Sequence, residues 1–481
     1  MNELASGDET NTDLAIIGAG PAGVSAARLA RRLGLQFMLI DEQTKVGGNV
    51  YRNCLANLDG SGKIAEILGS DYRKGRHQMA IESLSEDNYL PGSQIFSLSR
   101  TGTIALKRSG QIQLINARKV LIATGAVERP TPCPGWELPG VMSVGAAQTL
   151  LKDAHAIANG PIVFAGSGPL LFLTVIQYLR MGIVPAALLL TGPYFGRQSW
   201  LGALRALTSH PSRIGKGIRW IIRTALSKIK VYTEVEDLRI KGHERVGSVS
   251  FRSRNRSVEL PAEHVFLHEG VVPNTALSMA ADCQHVWNAE QVYWAPVIND
   301  SGRTSQLDIY VAGDSARILG ADAAPLSAQL AVLSIATDLA VLTRADMIQQ
   351  SKPLLKDLRG EVRIREFIDR TYPPPVRTME QLPDETMVCR CEQVLARDIR
   401  ALADVQCTTL GQAKAFTRCG MGPCQGRMCG LTVATILAHA TGCDIESVGY
   451  YRMRAPIRPV SVAELATMNS QENFSILGLQ K

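Results

Sequence analysis

The chain has 481 residues, a formal net charge of +7, and 46% hydrophobic against 20% charged residues. This composition excludes disorder over most of the chain, and the length predicts several domains because a single hydrophobic core stops growing well below it. The mild basic excess and the 5% of aromatic residues argue against a nucleic-acid partner. The polar, acidic start lacks a signal-peptide pattern, and no apolar run approaches the roughly 18 residues that cross a bilayer. We therefore expect a cytoplasmic protein that is not integral to a membrane.

A strand, a glycine-rich turn and a helix follow one another near the start. The apolar run Leu14–Ile17 leads into the turn, and Val24–Leu33 then has helical periodicity. A second strand, Gln36–Ile40, ends at Asp41, with Glu42 directly after it. In dinucleotide-binding folds such a turn lets a pyrophosphate approach the backbone at the helix N-terminus, and the acid binds the adenosine ribose. The residues of the predicted turn are Gly18, Gly20, Pro21, Ala22 and Gly23.

Later motifs favour FAD over NAD as the ligand of this first fold. A glycine pair follows the acid within one short loop, an apolar strand ends in an Ala-Thr-Gly turn, and a further strand ends in Gly-Asp before a small-residue helix. In this order the motifs resemble the two-dinucleotide-fold flavoproteins, which include glutathione and thioredoxin reductases. The resemblance implies bound FAD, with the late aspartate near the ribityl and pyrophosphate groups. The corresponding residues are Gly47, Gly48, Thr124, Gly125, Gly313 and Asp314.

A second, weaker copy of the turn follows. The strand Pro161–Ala165 precedes Gly166 and Gly168, but Leu171 stands where the third glycine is expected, and the next strand ends without a carboxylate. Both interpretations stay open at this point: a retained fold with a lost or altered site, or an NAD(P) site.

Three early cysteines bear on the mechanism. Cys54, Cys133 and Cys283 form neither CxxC nor CxxxxC, so we do not expect the dithiol relay of disulfide reductases.

Six of the ten cysteines lie between Cys389 and Cys429, beyond a triple-proline linker. A [2Fe–2S] cluster needs two thiolates on each iron, and a CxC pair, Cys389 and Cys391, with a CxxxxC pair, Cys424 and Cys429, can supply them. Structural zinc is the alternative, although its pairs usually have two to four intervening residues. The segment resembles the bacterioferritin-associated-ferredoxin-like domain fused to flavoproteins, and that resemblance implies these four ligands. Cys419 departs from the pattern and could compete with Cys424, whereas no role is expected for the two remaining cysteines, Cys407 and Cys443.

Nearly the whole chain resembles the α subunits of heteromeric amine dehydrogenases. This group includes the A subunits of opine oxidases, the B subunits of hydrogen cyanide synthases, and the α subunits of proline and hydroxyproline dehydrogenases. The segments that carry the resemblance are Gly47–Arg52, Pro134–Met142, Gly166–Leu171, Val272–Asn274 and Val388–Glu392.

The resemblance implies a division of labour. A β subunit with its own FAD oxidises a secondary amine or amino acid, and electrons pass to this chain, in some members through an FMN at the interface between the two, and then to a quinone or other respiratory acceptor. Contact with the inner face of the membrane would follow from such an acceptor. The alternatives are a stand-alone NAD(P)H-dependent reductase that uses the cluster as its outlet, and a non-enzymatic scaffold.

The expected fold class is α/β: a glutathione-reductase-like flavoprotein with two dinucleotide-binding domains and a small, mostly α-helical [2Fe–2S] domain. The expected segments are an FAD-binding domain over 1–155 and 301–345, a degenerate nucleotide-binding domain over 156–300, a helix and proline-rich linker over 346–383, an iron–sulfur domain over 384–450 and a tail over 451–481.

Overall fold

The computed structural model describes residues 10–59, 62–80, 85, 87–192 and 211–466. The first residues of the expected FAD-binding domain, 1–9, and the last part of the expected tail, 467–481, lie outside the described residues. Within the described ranges, no helix has both the length and the apolar character that crossing a membrane requires.

The strands form the frame of the molecule. They are β1 (Thr10–Ile17), β2 (Phe37–Ile40), β3 (Tyr89–Leu90), β4 (Gln94–Leu98), β5 (Thr103–Arg108), β6 (Gln111–Ile122), β7 (Ala126–Glu128), β8 (Val141–Ser143), β9 (Ile162–Ser167), β10 (Ala187–Leu190), β11 (Lys230–Tyr232), β12 (Val235–Gly242), β13 (Val246–Ser253), β14 (Arg256–Pro261), β15 (His264–Glu269), β16 (Val271–Pro273), β17 (His285–Asn288), β18 (Tyr293–Pro296), β19 (Ile309–Val311), β20 (Met387–Cys389) and β21 (Val394–Leu395).

The helices cover these sheets and build the C-terminal part. They are α1 (Pro21–Arg32), α2 (Cys54–Asp59), α3 (Lys63–Leu68), α4 (Ser70–Arg73), α5 (Gly75–Met79), α6 (Val144–Ala154), α7 (Pro169–Arg180), α8 (Pro211–Ala225), α9 (Ala276–Ala280), α10 (Ala324–Asp338), α11 (Arg344–Thr371), α12 (Val376–Glu380), α13 (Ala396–Arg400), α14 (Leu410–Thr417), α15 (Gly430–Thr441), α16 (Ile445–Val448) and α17 (Val462–Leu465).

The first sheet has the parallel order β3-β2-β1-β6-β19, and β4, β5 and the first half of β6 add an antiparallel meander. Helices α1 and α10 pack together on one face of the sheet. Their contact is lined by small side chains, including Ala22, Ala26, Ala324 and Ala328, which allow the two helices a close approach. Antiparallel pairing of β7 with β16 links this fold to the second one.

The second sheet has the parallel order β11-β10-β9-β15-β8. Its core contains three rings packed edge to face, since the Phe164 ring centroid lies 5.4 Å from that of Tyr178 and 5.1 Å from that of Phe266. Strand β8 pairs with β15, so β8 and the following α6 belong to this sheet although the sequence places residues up to 155 with the first fold. The antiparallel strands β12, β13 and β14 pack against the same fold.

The C-terminal part is a small helical unit around the β20–β21 hairpin. Its core extends from Leu382 to Met453, slightly beyond the expected segment 384–450. The chain then returns to the first fold, because Ile457 N donates to Phe96 O at 2.9 Å and the Ile457 side chain joins that core. Lys107 Nζ donates to Pro459 O at 3.0 Å. The beginning of the expected tail is therefore an integral part of the first fold.

Candidate cofactor site and cysteine centre

The register of the first sheet places the predicted motifs at one edge. Ile17, the last residue of β1, is paired with Ile40 on one side and with Ile122 on the other, and Val311 is also paired with Ile122. The residues that follow these four strand ends therefore meet at the carboxyl edge of the sheet, where open α/β folds bind ligands. They include Gly18, Asp41, Thr124 and Asp314.

The first turn requires glycine at two of its predicted positions. Gly18 has a φ of 109°, and a Cβ there would lie 2.4 Å from Ala123 O. A Cβ on Gly23 would lie 1.7 Å from Gly18 O, so α1 can pack against the turn only without a side chain at this position. Pro21 and Ala22 open α1, whose N-terminus faces the cavity described below.

The glycine pair after Asp41 lies against the same turn. A Cβ on Gly48 would lie 3.0 Å from the Gly20 Cα. Gly47 has a φ of 130°, and its N–H donates to Ala19 O at 2.8 Å. This contact fixes the loop that carries Asn49 beside the turn.

The acid at the end of β2 is held by the backbone. Asp41 accepts hydrogen bonds from the N–H groups of Ala19 and Gln43, and burial raises the pKa of its carboxyl. Glu42 instead faces the C-terminal segment: its Oε2 lies 2.6 Å from the Arg458 guanidinium, and its Oε1 accepts from Gln94 Nε2 at 3.2 Å. Both carboxylates line the cavity.

The Thr124–Gly125 and Gly313–Asp314 motifs also lie at the carboxyl edge of the first sheet. Thr124 Oγ1 donates to Asn274 O at 3.3 Å, and Asn274 N donates to Gly125 O at 3.0 Å, so this turn is held by the second fold. Asp314 Oδ1 accepts from Leu319 N at 2.9 Å and from Gly320 N at 2.8 Å, and burial raises the pKa of its carboxyl. Gly313, two residues after the end of β19, directly precedes Asp314 and has a φ of 69°.

A cavity of about 1220 Å³ runs along this edge and into the cleft between the folds. It exceeds the usual 300–1,000 Å³ of small-molecule sites, which suits a dinucleotide. The N-terminus of α1 and the Asp41 carboxyl both line the cavity, and they are the kinds of group that bind a pyrophosphate and a ribose. The residues of this edge therefore fit FAD.

The second glycine turn has a buried carboxyl group beside it. Glu269 ends β15 and is paired in register with Ser167 of the turn. Its carboxylate accepts from Ser167 Oγ at 3.1 Å and from Thr191 Oγ1 at 2.6 Å, and burial raises its pKa. This is the switch point at which a dinucleotide phosphate would bind. Sequence reasoning missed Glu269, because only the pairing of β9 with β15 brings it to the turn.

A further buried group supports Glu269. Arg129 is 5% exposed and donates to the carbonyl oxygens of Glu269, Gln291 and Val292 at 3.0, 2.6 and 2.7 Å. Burial lowers the pKa of this guanidinium to about 10. The side chains of this end of the second sheet are therefore held by bonds within the protein.

The three early cysteines lie in separate parts of the protein. Cys54, Cys133 and Cys283 are buried in three different hydrophobic clusters. No two of these three thiols therefore share a cluster in which they could form a pair.

The C-terminal cysteines converge. The sulfur atoms of Cys389, Cys419 and Cys429 all lie within 4.8 Å of one another. The Cys424 thiol interacts with those of Cys429 and Cys391, so the four predicted ligands and Cys419 form one group. Interactions with the Cys419 and Cys429 thiols hold the pKa of Cys389 well below its ordinary range. Cys419 neighbours Cys429 rather than Cys424, the residue with which the sequence suggested that it would compete.

The surroundings of these thiols fit a metal centre. A Cβ on Gly422 would lie 2.2 Å from Cys391 Cβ, and a Cβ on Gly420 or Gly426 would lie within 2.7 Å of the Tyr451 ring. Because these three positions have no side chain, the Tyr451 ring and the CxC hairpin can pack directly against the backbone of this segment. The buried Tyr451 hydroxyl has no oxygen or nitrogen partner among the described residues, and it interacts with the Cys419 thiol. Five converging thiols, three of them buried, suit a thiolate-bound centre such as [2Fe–2S].

The cysteine centre adjoins the cavity of the first fold. Arg427 and Met428, between Cys424 and Cys429, line that cavity. On the other side, Trp136 Nε1 donates to Met387 O at 2.6 Å, and the Arg390 guanidinium lies 5.3 Å from the centre of the Trp136 ring. Because Arg390 separates the two cysteines of the CxC pair, both cysteine segments are fixed against the dinucleotide-binding folds.

Comparisons with known proteins agree with this architecture. Residues 12–334 match the family described as pyridine nucleotide-disulphide oxidoreductase, and residues 384–468 match the sarcosine oxidase A3 domain. The A subunit of opine oxidase from Rhizobium meliloti is 39% identical over 464 residues, which cover 95% of this chain and 87% of the relative. Hydrogen cyanide synthase subunit HcnB of Pseudomonas aeruginosa is 28% identical over 471 residues, covering 95% and 98%. L-proline dehydrogenase from P. horikoshii shares the fold, with a TM-score of 0.70 at 20% identity over 95% of this chain and 80% of that chain.

Proposed function

This chain belongs to the pyridine nucleotide-disulphide oxidoreductase family and to the family of opine oxidase A subunits, and from that premise we propose its function. It is an FAD-dependent oxidoreductase and a component of a heteromeric flavoenzyme that oxidises amines at a CH–NH bond. Its own task is electron transfer. Substrate oxidation takes place on a partner β subunit with its own FAD, and the substrate is an opine, proline or hydroxyproline, or glycine.

The observation that carries the electron-transfer role is the shared cavity. The carboxyl edge of the first sheet lines one part of it, and Arg427 and Met428 of the cysteine loop line another. FAD exchanges electrons in pairs or singly and an iron–sulfur cluster exchanges them singly, so neighbouring sites for the two groups suit a relay. The fold would hold the two redox groups next to each other.

We assign the FAD contacts to the turn from Gly18 to Gly23, to Asp41 and Glu42, to the pair Gly47 and Gly48, to Thr124 and Gly125, and to Gly313 and Asp314. The backbone N–H groups at the start of α1 would meet the pyrophosphate, and Asp41 would meet the ribose. The [2Fe–2S] ligands in this proposal are Cys389, Cys391, Cys424 and Cys429.

The proposal extends to the partners. An FMN at the interface with the β subunit would collect the electrons, and a quinone or another respiratory acceptor would receive them from the cluster. The chain would then work in the cytoplasm, with peripheral contact to the membrane.

The reductase alternative has less support. A stand-alone NAD(P)H-dependent reductase needs a nucleotide phosphate at the second turn, where the Glu269 carboxylate already accepts bonds from Ser167 and Thr191. A phosphate at the Ser167 and Thr191 hydroxyls would have to displace this buried carboxyl group. This arrangement favours the interpretation that the second fold is retained with a lost or altered nucleotide site over the interpretation that it binds NAD(P).

Co-expression with a β partner of the amino-acid-oxidase type tests the proposal. The purified pair should reduce an artificial dye with an opine or a secondary amino acid, and neither protein by itself should do so. Substantial amine oxidation by this chain without a partner would refute the division of labour. Flavin, iron and sulfide analysis of the same preparation tests the FAD, FMN and cluster assignments, and a colourless, iron-free protein after anaerobic purification would favour a scaffold.

A further inference from the structure

The metal centre proposed above has one more thiol than a four-ligand cluster needs. Cys419 is fully buried, and its sulfur lies within 4.8 Å of both Cys389 and Cys429. Two thiolates on one tetrahedral metal ion lie about 3.8 Å apart when each metal–sulfur bond is about 2.3 Å. Any two members of this group are thus close to the spacing that one metal ion requires.

The remaining two thiols, Cys391 and Cys424, do not belong to this group. Cys424 interacts with Cys429 and Cys391 but is not a member of the group around Cys419. Cys391 and Cys424 interact with each other, so they can serve as one pair of ligands, with the other pair drawn from Cys389, Cys419 and Cys429. Cys419 is placed to take part only in the second pair.

Local structure holds Cys419 in this place. Helix α14 ends at Thr417, and Arg418 then adopts a left-handed conformation with a φ of 62° that turns the chain toward the centre. Cys419 N donates to Thr417 Oγ1 at 3.2 Å. Arg418 Nε donates to Glu392 Oε2 at 2.9 Å, and Glu392 directly follows the CxC pair. The segment that carries Cys419 is thereby tied to the segment that carries Cys389.

We propose that Cys419 is a reserve ligand of the metal centre, able to replace Cys429 but not Cys424. The exchange breaks the bond from the metal to Cys429 sulfur and forms one to Cys419 sulfur. Cys419 loses a proton as it binds, the released Cys429 thiolate takes one up, and no electron is transferred. The inference rests on the proposed centre and adds a fifth thiol to it.

Alanine variants of the full-length chain, purified anaerobically, test this exchange. C429A should keep most of its metal and show a shifted absorption and electron paramagnetic resonance spectrum, because Cys419 has taken over. C424A, which has no reserve, should hold about tenfold less metal, and so should the double variant C419A/C429A. C419A should resemble the wild type. C407A is the matched control, because Cys407 is buried in the same domain and its thiol donates to Thr409 O.

Each of these measurements can overturn the proposal that Cys419 is a reserve ligand. Loss of metal from C429A to the level of C424A would overturn it, as would retention of metal in the double variant. Flavin content, measured on every variant, separates local loss of metal from failure to fold. Zinc without sulfide in the wild type would refute the proposed cluster, while the zinc content of the same variants would still decide the role of Cys419. A wild type without any metal would overturn both.

Discussion

Replacement of Glu269 by glutamine perturbs the second turn with little change in side-chain size. The carboxylate accepts hydrogen bonds from Ser167 and Thr191. An amide has one acceptor and two donors, and hydroxyl groups both donate and accept, so E269Q can keep both contacts. Arg129 keeps its three bonds to carbonyl oxygens, because the one it donates to residue 269 is to the backbone. What changes is the ability of the buried group to ionise.

The expected change in the free energy of unfolding follows from the pKa of the Glu269 carboxyl. Burial raises the Glu269 pKa above its ordinary value of 4.5. A carboxyl whose pKa rises on folding stabilises the fold below its unfolded pKa, and this contribution is lost as the pH rises through the folded pKa. Between the two values, the wild-type free energy of unfolding falls by about 1.4 kcal/mol per pH unit through this group. E269Q lacks that fall, so its stability relative to the wild type should increase with pH.

Urea unfolding, followed by tryptophan fluorescence at half-unit steps from about pH 5 to about pH 8, measures the difference. The matched control is E244Q, which removes the same charge from an exposed position in the turn between β12 and β13 and should follow the wild type. Parallel pH profiles for E269Q and the wild type would refute the reasoning. They would mean that Glu269 ionises as easily in the folded chain as in the unfolded one.

Three further predictions concern the first fold, its interface with the cysteine domain and the second turn. G23A places a Cβ 1.7 Å from Gly18 O, so it should lower the free energy of unfolding by about 3 kcal/mol or more and remove most of the bound flavin. Thermal unfolding and flavin content measure these two effects. The control G217A has nothing within 4 Å of the new Cβ, so it should retain the flavin and stabilise α8 by about 0.5–1 kcal/mol. W136F removes the bond to Met387 O and should cost about 1 kcal/mol and speed hydrogen exchange of the CxC hairpin, so unchanged exchange there would contradict the docking role. NADH or NADPH should not bleach the flavin of the wild type on mixing, and rapid bleaching in stopped flow would restore the reductase alternative.

Local motifs made much of the first site predictable. The strand, turn, helix and acid around Gly18 and Asp41 lie close together in sequence, and their geometry follows from backbone sterics: Gly23 is needed because α1 packs against the turn, and no distant residue is involved. The CxC and CxxxxC pairs likewise mark a thiolate centre without knowledge of the fold. Other elements were less visible. The sequence assigned α6 to the first fold because residues 144–154 are adjacent to it, whereas the pairing of β8 with β15 places them on the second.

The sequence by itself determined the class of protein, the order of its motifs and the kinds of residue that would hold FAD and metal. Only the tertiary structure determined which distant segments of the chain contact these motifs. The register of β9 and β15 brings Glu269 to the second turn, the end of α14 brings Cys419 to Cys429, and the return of Ile457 to the first core closes the C-terminal part onto the FAD fold. The physical reason is that a turn or a ligand pair is specified by neighbours in the chain. A contact between distant segments depends on strand register and on helix packing, which result from burial over the whole core.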